Sequence, residues 1–225
     1  MAMLAGCRPQ ASEPAAPPET LIEREELQSG DLLLFALPLD YRLKGSTQSK
    51  DTTVTPIHKG DEVNYFHIAI VERRGESLYT IDASIKYDVD CHPMDTTLAA
   101  FTIKNGRVPR VEVFRLKDPS DAELFVEQAK RFMGRRYDTH LESCPDEIYC
   151  SELISYSFVT REGDTLFPLR PMDWTSSDGT MTPYWTEIFR RIGMVPPNGL
   201  PGITPRDVAQ SGKVEQVGVL VDCDL

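Results

Sequence analysis

Positive charge, cysteine and long apolar runs are all scarce in this chain, and each shortage excludes something. Lys plus Arg number 24 against 35 Asp plus Glu in 225 residues, a formal charge of -11. Such a surface repels phosphate backbones and anionic lipid faces, so nucleic acid held on a broad basic face is excluded. No stretch reaches the roughly 18 apolar residues that cross a bilayer. The most hydrophobic segments, Leu32 to Leu37 and His67 to Val71, have strand length. The five cysteines are scattered and odd in number, which excludes a disulfide scaffold and leaves at least one thiol for other work. In an oxidising compartment Cys91, Cys144 or Cys223 could pair. Cys144, Cys150 and the four histidines (His58, His67, His92, His140) show no paired metal-ligand spacing, so no metal is expected. Neither a phosphate-cradling glycine loop nor a G-x-S-x-G elbow occurs, and no cofactor is called for.

What remains is a chain with 40% hydrophobic residues, enough to fill a core. Its first 20 residues stand apart. Arg8 to Thr20 is a Pro, Ala and Glu stretch that behaves as an extended tether. Leu4-Ala5-Gly6-Cys7 before it resembles the lipobox of bacterial lipoproteins, in which the cysteine is lipidated. A signal peptide also needs a cationic start and an apolar region of about 7 to 15 residues, and only six residues precede Cys7. Two readings follow: a membrane-tethered lipoprotein of the cell envelope facing the periplasm, or a disordered tail with a chance LAGC.

From residue 21 the pattern is that of one α+β domain with a loop-rich part over 161–225. Leu32 to Phe35 predicts a strand after the Ser29-Gly30-Asp31 turn signal. Residues 40–60 read as a long loop, of lid length. Phe66 to Glu72 and Leu78 to Ser84 flank a turn and predict a hairpin. With Arg74 and Gly75 at its centre, His67 lies directly opposite Asp82. Opposed β-carbons are about 4.5 to 5.5 Å apart, so the carboxylate can hold the imidazole; a loop of three or five residues would break this register. Val111 to Leu116 predicts another strand. Ser120-Asp121-Ala122-Glu123 reads as a capping box opening a helix with Phe125, Ala129, Phe132 and Met133 on one face, closed by Gly134. Further elements are predicted at Ile148 to Phe158 (helix), Tyr184 to Ile192 (helix) and Val214 to Val221 (strand).

Cys150 falls in the first turn of the 148–158 helix, where free amides and the helix dipole favour a thiolate. A nucleophile there needs an imidazole, and the imidazole needs an orienter; His67 and Asp82 supply both. The amide of Cys150 itself would serve an oxyanion hole. The plainer alternatives are a small buried hydrophobe for Cys150 and a satisfied strand histidine for His67. Asp82, within Leu-Tyr-Thr-Ile-Asp-Ala, is costly if buried without a partner. The neighbours Cys91 and His92 point to opposite faces of an extended chain and make no nucleophile-base pair. Pro183-Tyr184-Trp185 and the prolines from Pro196 to Pro205 make sense as a cleft wall.

Gly30-Asp31-Leu-Leu-Leu-Phe35, Phe66-His67-Ile-Ala-Ile-Val71, Tyr79-Thr-Ile-Asp82-Ala83, Gly134-Arg-Arg-Tyr137-Asp138 and Tyr149-Cys150-Ser151-Glu152-Leu153-Ile154 occur in that order. Together they resemble the circularly permuted papain-like hydrolases of the YiiX kind, relatives of NlpC peptidoglycan peptidases and of lecithin retinol acyltransferase. The resemblance spans about residues 29–160. It implies an antiparallel sheet or barrel packed on the cysteine helix, with Cys150 as nucleophile, His67 as general base and acid and Asp82 as orienter, where the family often carries Glu. It also implies Tyr137 and Tyr149 as site-lining, substrate-binding residues, and a peptide or acyl-amide substrate, from the cell wall or an N-acyl lipid. The other functions open to this fold are a non-catalytic module binding lipid or wall fragments, and an acyltransferase on the same triad.

Overall fold

A computed structural model describes residues 19–37, 63–102, 109–142, 146–175 and 178–221. The lipobox-like Cys7 with the tether to residue 18, the 40–60 loop, His58, Cys144 and Cys223 lie outside the described residues. In chain order the strands are β1 (Leu21–Ile22), β2 (Leu32–Leu37), β3 (Asn64–Arg74), β4 (Ser77–Ser84), β5 (Asp88–Pro93), β6 (Arg110–Leu116), β7 (Arg136–Tyr137), β8 (Glu147–Ile148), β9 (Arg170–Pro171), β10 (Pro201–Gly202) and β11 (Val214–Leu220). The helices are α1 (Met94–Ala100), α2 (Ala122–Lys130), α3 (Cys150–Ser157), α4 (Pro183–Ile192) and α5 (Pro205–Ala209).

One sheet of order β1-β11-β6-β2-β3-β4-β5 carries the fold, antiparallel throughout except where β1 joins β11. Its central strand β2 reads Leu-Leu-Leu-Phe-Ala-Leu because both faces are covered. Leu32, Leu34, Ile68, Ile70 and Ile81 pack with Phe125 and Ala129 of α2 and Leu153 and Ile154 of α3. The alternate residues Leu33, Phe35, Ala69 and Val71 pack with Met94 and Leu98 of α1 and with Ile22 and Leu27. Strand alternation sorts neighbouring residues into these two layers. Each fully buried Leu or Ile contributes roughly 1.5 to 3 kcal/mol.

The turn before β2 explains the Gly30-Asp31 pair. Gly30 has φ 87°, and a β-carbon there would lie 2.8 Å from the Cβ of Ala122, so neither the backbone nor the space admits a side chain. Asp31 is buried and takes a two-pronged ion pair from Arg115 Nε and Nη2, each 2.8 Å from a carboxylate oxygen.

Four sequence expectations shift. The β3–β4 ladder pairs Arg74 with Ser77 and ends at Ile70 with Ile81, so the loop is Gly75-Glu76 and not Arg74-Gly75. A two-residue hairpin loop needs positive φ at its first position, and glycine, at φ 63°, supplies it. Continued, that register would set His67 against Ser84, two residues beyond Asp82. An even shift keeps the side-chain face, so His67 and Asp82 still share one.

The capping box at Ser120 does not form: the cap of α2 is Asp121, without a side-chain cap bond, and Asp121 pairs with Arg161 at 3.0 Å. Since α2 stops at Lys130, Met133 leaves the apolar stripe and is 45% exposed, while Gly134 turns the chain with φ 84°. Finally, Glu147 and Ile148 are not helical. They pair with Arg136 and Tyr137, which moves the start of α3 to Cys150.

Candidate active site

Cys150 is therefore the first helical residue of α3, and its cap residue Tyr149 makes no side-chain capping bond. The first amides of a helix have no partner inside it, so the backbone around the thiol keeps donors for an incoming oxygen. The β7–β8 pair fixes this start by tying Ile148 to Tyr137.

His67 and Asp82 belong by alternation to the opposite face of the sheet from α3. The three side chains nevertheless meet, because β3 and β4 part beyond Ile70 and Ile81: β3 stays paired with β2 to Asn64, and β4 with β5 to Ser84. Where the two strands separate, His67 Nε2 lies 2.7 Å from Asp82 Oδ2. Cys150 is the second side-chain partner of the imidazole. A carboxylate only accepts, so Nε2 is the nitrogen that carries hydrogen toward it and Nδ1 is left for the thiol. Cys150, His67 and Asp82 are 6%, 3% and 2% exposed. Burial pushes the imidazolium pKa down, but the bonds to Asp82 and Cys150 outweigh it and raise the value to about 9. Phe101 lies against the imidazole at 4.0 Å between ring centres and Phe35 packs on it at 5.4 Å, which holds the ring in place.

Both tyrosines expected at the site are there. Tyr137 is half-buried, and burial, the Cys150 charge and Asp138 hold its phenol well above the usual range, so it remains an O–H donor. Tyr149 is buried, its pKa also raised by burial, and its hydroxyl accepts the Ile203 N–H at 3.0 Å. Ser151 Oγ donates to the Ile203 carbonyl at 2.7 Å. The residues on either side of Cys150 thus grip both backbone polar groups of one C-terminal residue, Ile203, and bring the loop-rich part onto Cys150. No local sequence signal marks Ile203, Ser151 or Phe101 for these roles, since each contact joins distant segments.

Two cavities flank the dyad. One, of about 140 Å³, is lined by Cys150, Ser151, Met172, Trp174, Trp185 and Ile203 among others. The other, of about 280 Å³, is lined by His67, Ser84, Lys86 and Phe101 among others. Phe66 and Tyr137 line both. Trp185 of the expected cleft wall is in the first, joined by Trp174 at 4.9 Å between ring centres.

Cys91 and His92 stay apart from this centre, on β5. The Cys91 thiol meets Arg74 Nη2 at 3.2 Å, and burial raises its pKa; His92 faces Asp90. Among the described residues, one group of metal-type donors occurs beside β7: atoms of Asp138, His140 and Glu147 lie within 4.8 Å of one another. Cys and His spacing passes over it, because an Asp-x-His is joined to a Glu on the next strand. The fit to a cation is poor. The two oxygens of Asp138 accept the amides of His140 and Glu142, and Glu147 is paired with Arg136. These residues close a turn.

A cysteine heading a helix, an imidazole and a carboxylate on an antiparallel sheet, with the base preceding the nucleophile in sequence, define a papain-like cysteine hydrolase of permuted order. The chain belongs to the family of permuted papain-like amidase enzymes, YaeF/YiiX, C92, whose model matches residues 27–218. It is accordingly a thiol-dependent amide hydrolase in general class. Its fold is similar to a crystal structure described as metalloprotein yiiX from Escherichia coli O157:H7, with a TM-score of 0.58 and 20% identity over 85% of this chain and 96% of that one. No curated protein matches the chain.

Proposed function

We propose that the chain hydrolyses an amide of a cell-wall peptide or an N-acyl compound through an acyl-enzyme on Cys150. The observation that carries this reading is the hydrogen-bonded series Asp82, His67, Cys150, with the thiol at the first residue of an uncapped helix. In the attack, the Cys150 thiol proton passes to His67 Nδ1, the sulfur bonds to the carbonyl carbon and the carbonyl π pair moves to oxygen. The amide N–H of Cys150 meets that oxyanion, and the Tyr137 phenol is a second donor within the same cavity. On collapse the carbon–nitrogen bond breaks and His67 passes its Nδ1 proton to the leaving amine. The neutral imidazole then takes a proton from water, the hydroxyl oxygen bonds to the thioester carbon, and the carbon–sulfur bond breaks. Asp82 accepts from Nε2 throughout, fixing the tautomer and stabilising the imidazolium.

The test is alkylation of Cys150 by iodoacetamide from pH 4 to 9, read by peptide mass spectrometry. Rapid labelling below neutral pH that weakens in His67→Ala is expected. Labelling that begins only near the free-thiol pKa of about 8.5 would overturn the reading. We further propose a lipid anchor at Cys7 for the protein in its envelope, supported by Leu4-Ala5-Gly6-Cys7 and the tether after it. An acyl-modified Cys7 peptide in the membrane fraction is the expected result, and an unmodified one in the soluble fraction refutes it.

A further inference from the structure

The two cavities beside the dyad differ in what they can hold, and the chemistry of the reaction assigns each a side. His67 must reach the departing nitrogen, so the amine lies toward the cavity that His67 lines. The acyl carbon is bonded to Cys150, so the acyl group lies toward the cavity that Cys150 and Ser151 line. Phe66 and Tyr137, shared by both, mark the boundary at which the scissile carbonyl sits.

The acyl-side cavity has a definite chemistry. Among the described residues its walls include Leu141, Met172, Trp174, Trp185, Ile203 and Pro205, and no Asp, Glu, Lys, Arg or His. An ionised carboxylate placed there would find no countercharge on these walls. Its volume, about 140 Å³, is close to the roughly 150 Å³ apolar cavity that takes a benzene ring, so it accommodates a group of about six carbons. The walls are braced: Trp174 is buried and packs with Phe189 of α4 at 5.0 Å between ring centres, and Ile203 is held by Tyr149 and Ser151. The amine-side cavity is different, being larger and having Lys86 on its wall.

We infer that this hydrolase selects a short, uncharged acyl group of about six carbons, hexanoyl or benzoyl in size, and rejects acyl groups that carry a carboxylate. The inference rests on Cys150 being the nucleophile, and it favours an N-acyl amide over a carboxylate-bearing wall peptide.

The experiment uses the full chain with 4-nitroanilides of acetic, hexanoic, decanoic and glutaric acids, which share one leaving group. Titration of the Cys150→Ala protein with acetamide, hexanamide and glutaramate by calorimetry runs beside it. From acetyl to hexanoyl, kcat/KM is expected to rise about 100-fold, as four buried methylenes allow. The glutaryl and decanoyl donors are expected to fall at least about tenfold below hexanoyl, and Cys150→Ala to prefer hexanamide over both other amides. In Trp185→Ala, the ratio of decanoyl to hexanoyl turnover should rise about tenfold. Equal turnover of the acetyl, hexanoyl and glutaryl donors with an acyl group trapped on Cys150 would overturn the acyl specificity and leave the hydrolase reading standing. If no donor acylates Cys150 while Cys150→Ala still selects hexanamide, the cavity assignment holds and the hydrolase reading fails. Absence of both acylation and selective binding overturns both.

Discussion

His67 Nε2 and Asp82 Oδ2 stand 2.7 Å apart although the two residues are not ladder partners: the pairing of their strands has already ended at Ile70 and Ile81. The bond bridges a place where the sheet opens, so the carboxylate there both orients the imidazole and ties the two strands. Asp82→Asn retains the shape but replaces an obligatory acceptor with a group that can also donate. Turnover is expected to fall by about 10³ to 10⁴, the scale seen when a triad carboxylate is made an amide. Steady-state kinetics beside a thermal melt checks this, and a variant within tenfold of wild type would remove Asp82 from the orienting role.

The raised pKa of His67 makes stability depend on pH in a definite direction. Unfolded, a histidine titrates near 6.5; folded, His67 titrates at about 9. Between these values the native state holds the extra proton. The stabilisation is complete below about pH 6.5 and is lost as pH rises through about 9. Urea midpoints at pH 6 and pH 9.5 should fall more for the wild type than for His67→Gln. Equal falls in the two proteins would show that His67 is not the titrating group.

Arg115→Ala leaves Asp31 buried with its two-pronged partner gone. Breaking a fully buried pair costs about 3 to 5 kcal/mol. The Arg115 side chain is 25% exposed, so a loss of about 2 kcal/mol is expected, measured by chemical denaturation. Changing both residues together, Asp31→Asn with Arg115→Leu, should restore part of it. A destabilisation below about 0.5 kcal/mol in Arg115→Ala would place the pair among ordinary surface contacts.

Ser151→Ala removes the donor to the Ile203 carbonyl inside a buried setting. An unsatisfied buried group costs about 1 to 3 kcal/mol. The effect should also reach the site, because Ile203 lines the cavity beside Cys150. KM is expected to rise with kcat less affected, and unchanged KM would separate the clamp from substrate binding.

Much of this arrangement is legible along the chain. The alternation of Phe66 to Val71 and Leu78 to Ser84 places His67 and Asp82 on one face, and that conclusion survives the two-residue shift of register because face depends only on parity. The helix at Cys150 is legible from its apolar spacing. Its starting residue is not, because Ile148 joins β8 through Tyr137, a residue 11 positions earlier. The same is true of α2: a capping pattern at Ser120 is a local preference, and the ion pair of Asp121 with Arg161 lies 40 residues away in sequence.

The sequence by itself determined the acidic surface, the α+β pattern, the three candidate side chains Cys150, His67 and Asp82 and the order in which they occur. These depend on composition and on periods of two and 3.6 residues, which are properties of neighbouring positions. Only the tertiary structure decided where β3 and β4 separate, that the head of α3 meets the imidazole there, and that Tyr149 and Ser151 bind Ile203 to build the cavity beside Cys150. Those relations join segments as much as 83 residues apart, from His67 to Cys150, and they exist because buried polar groups must find partners wherever the packing of the core brings them.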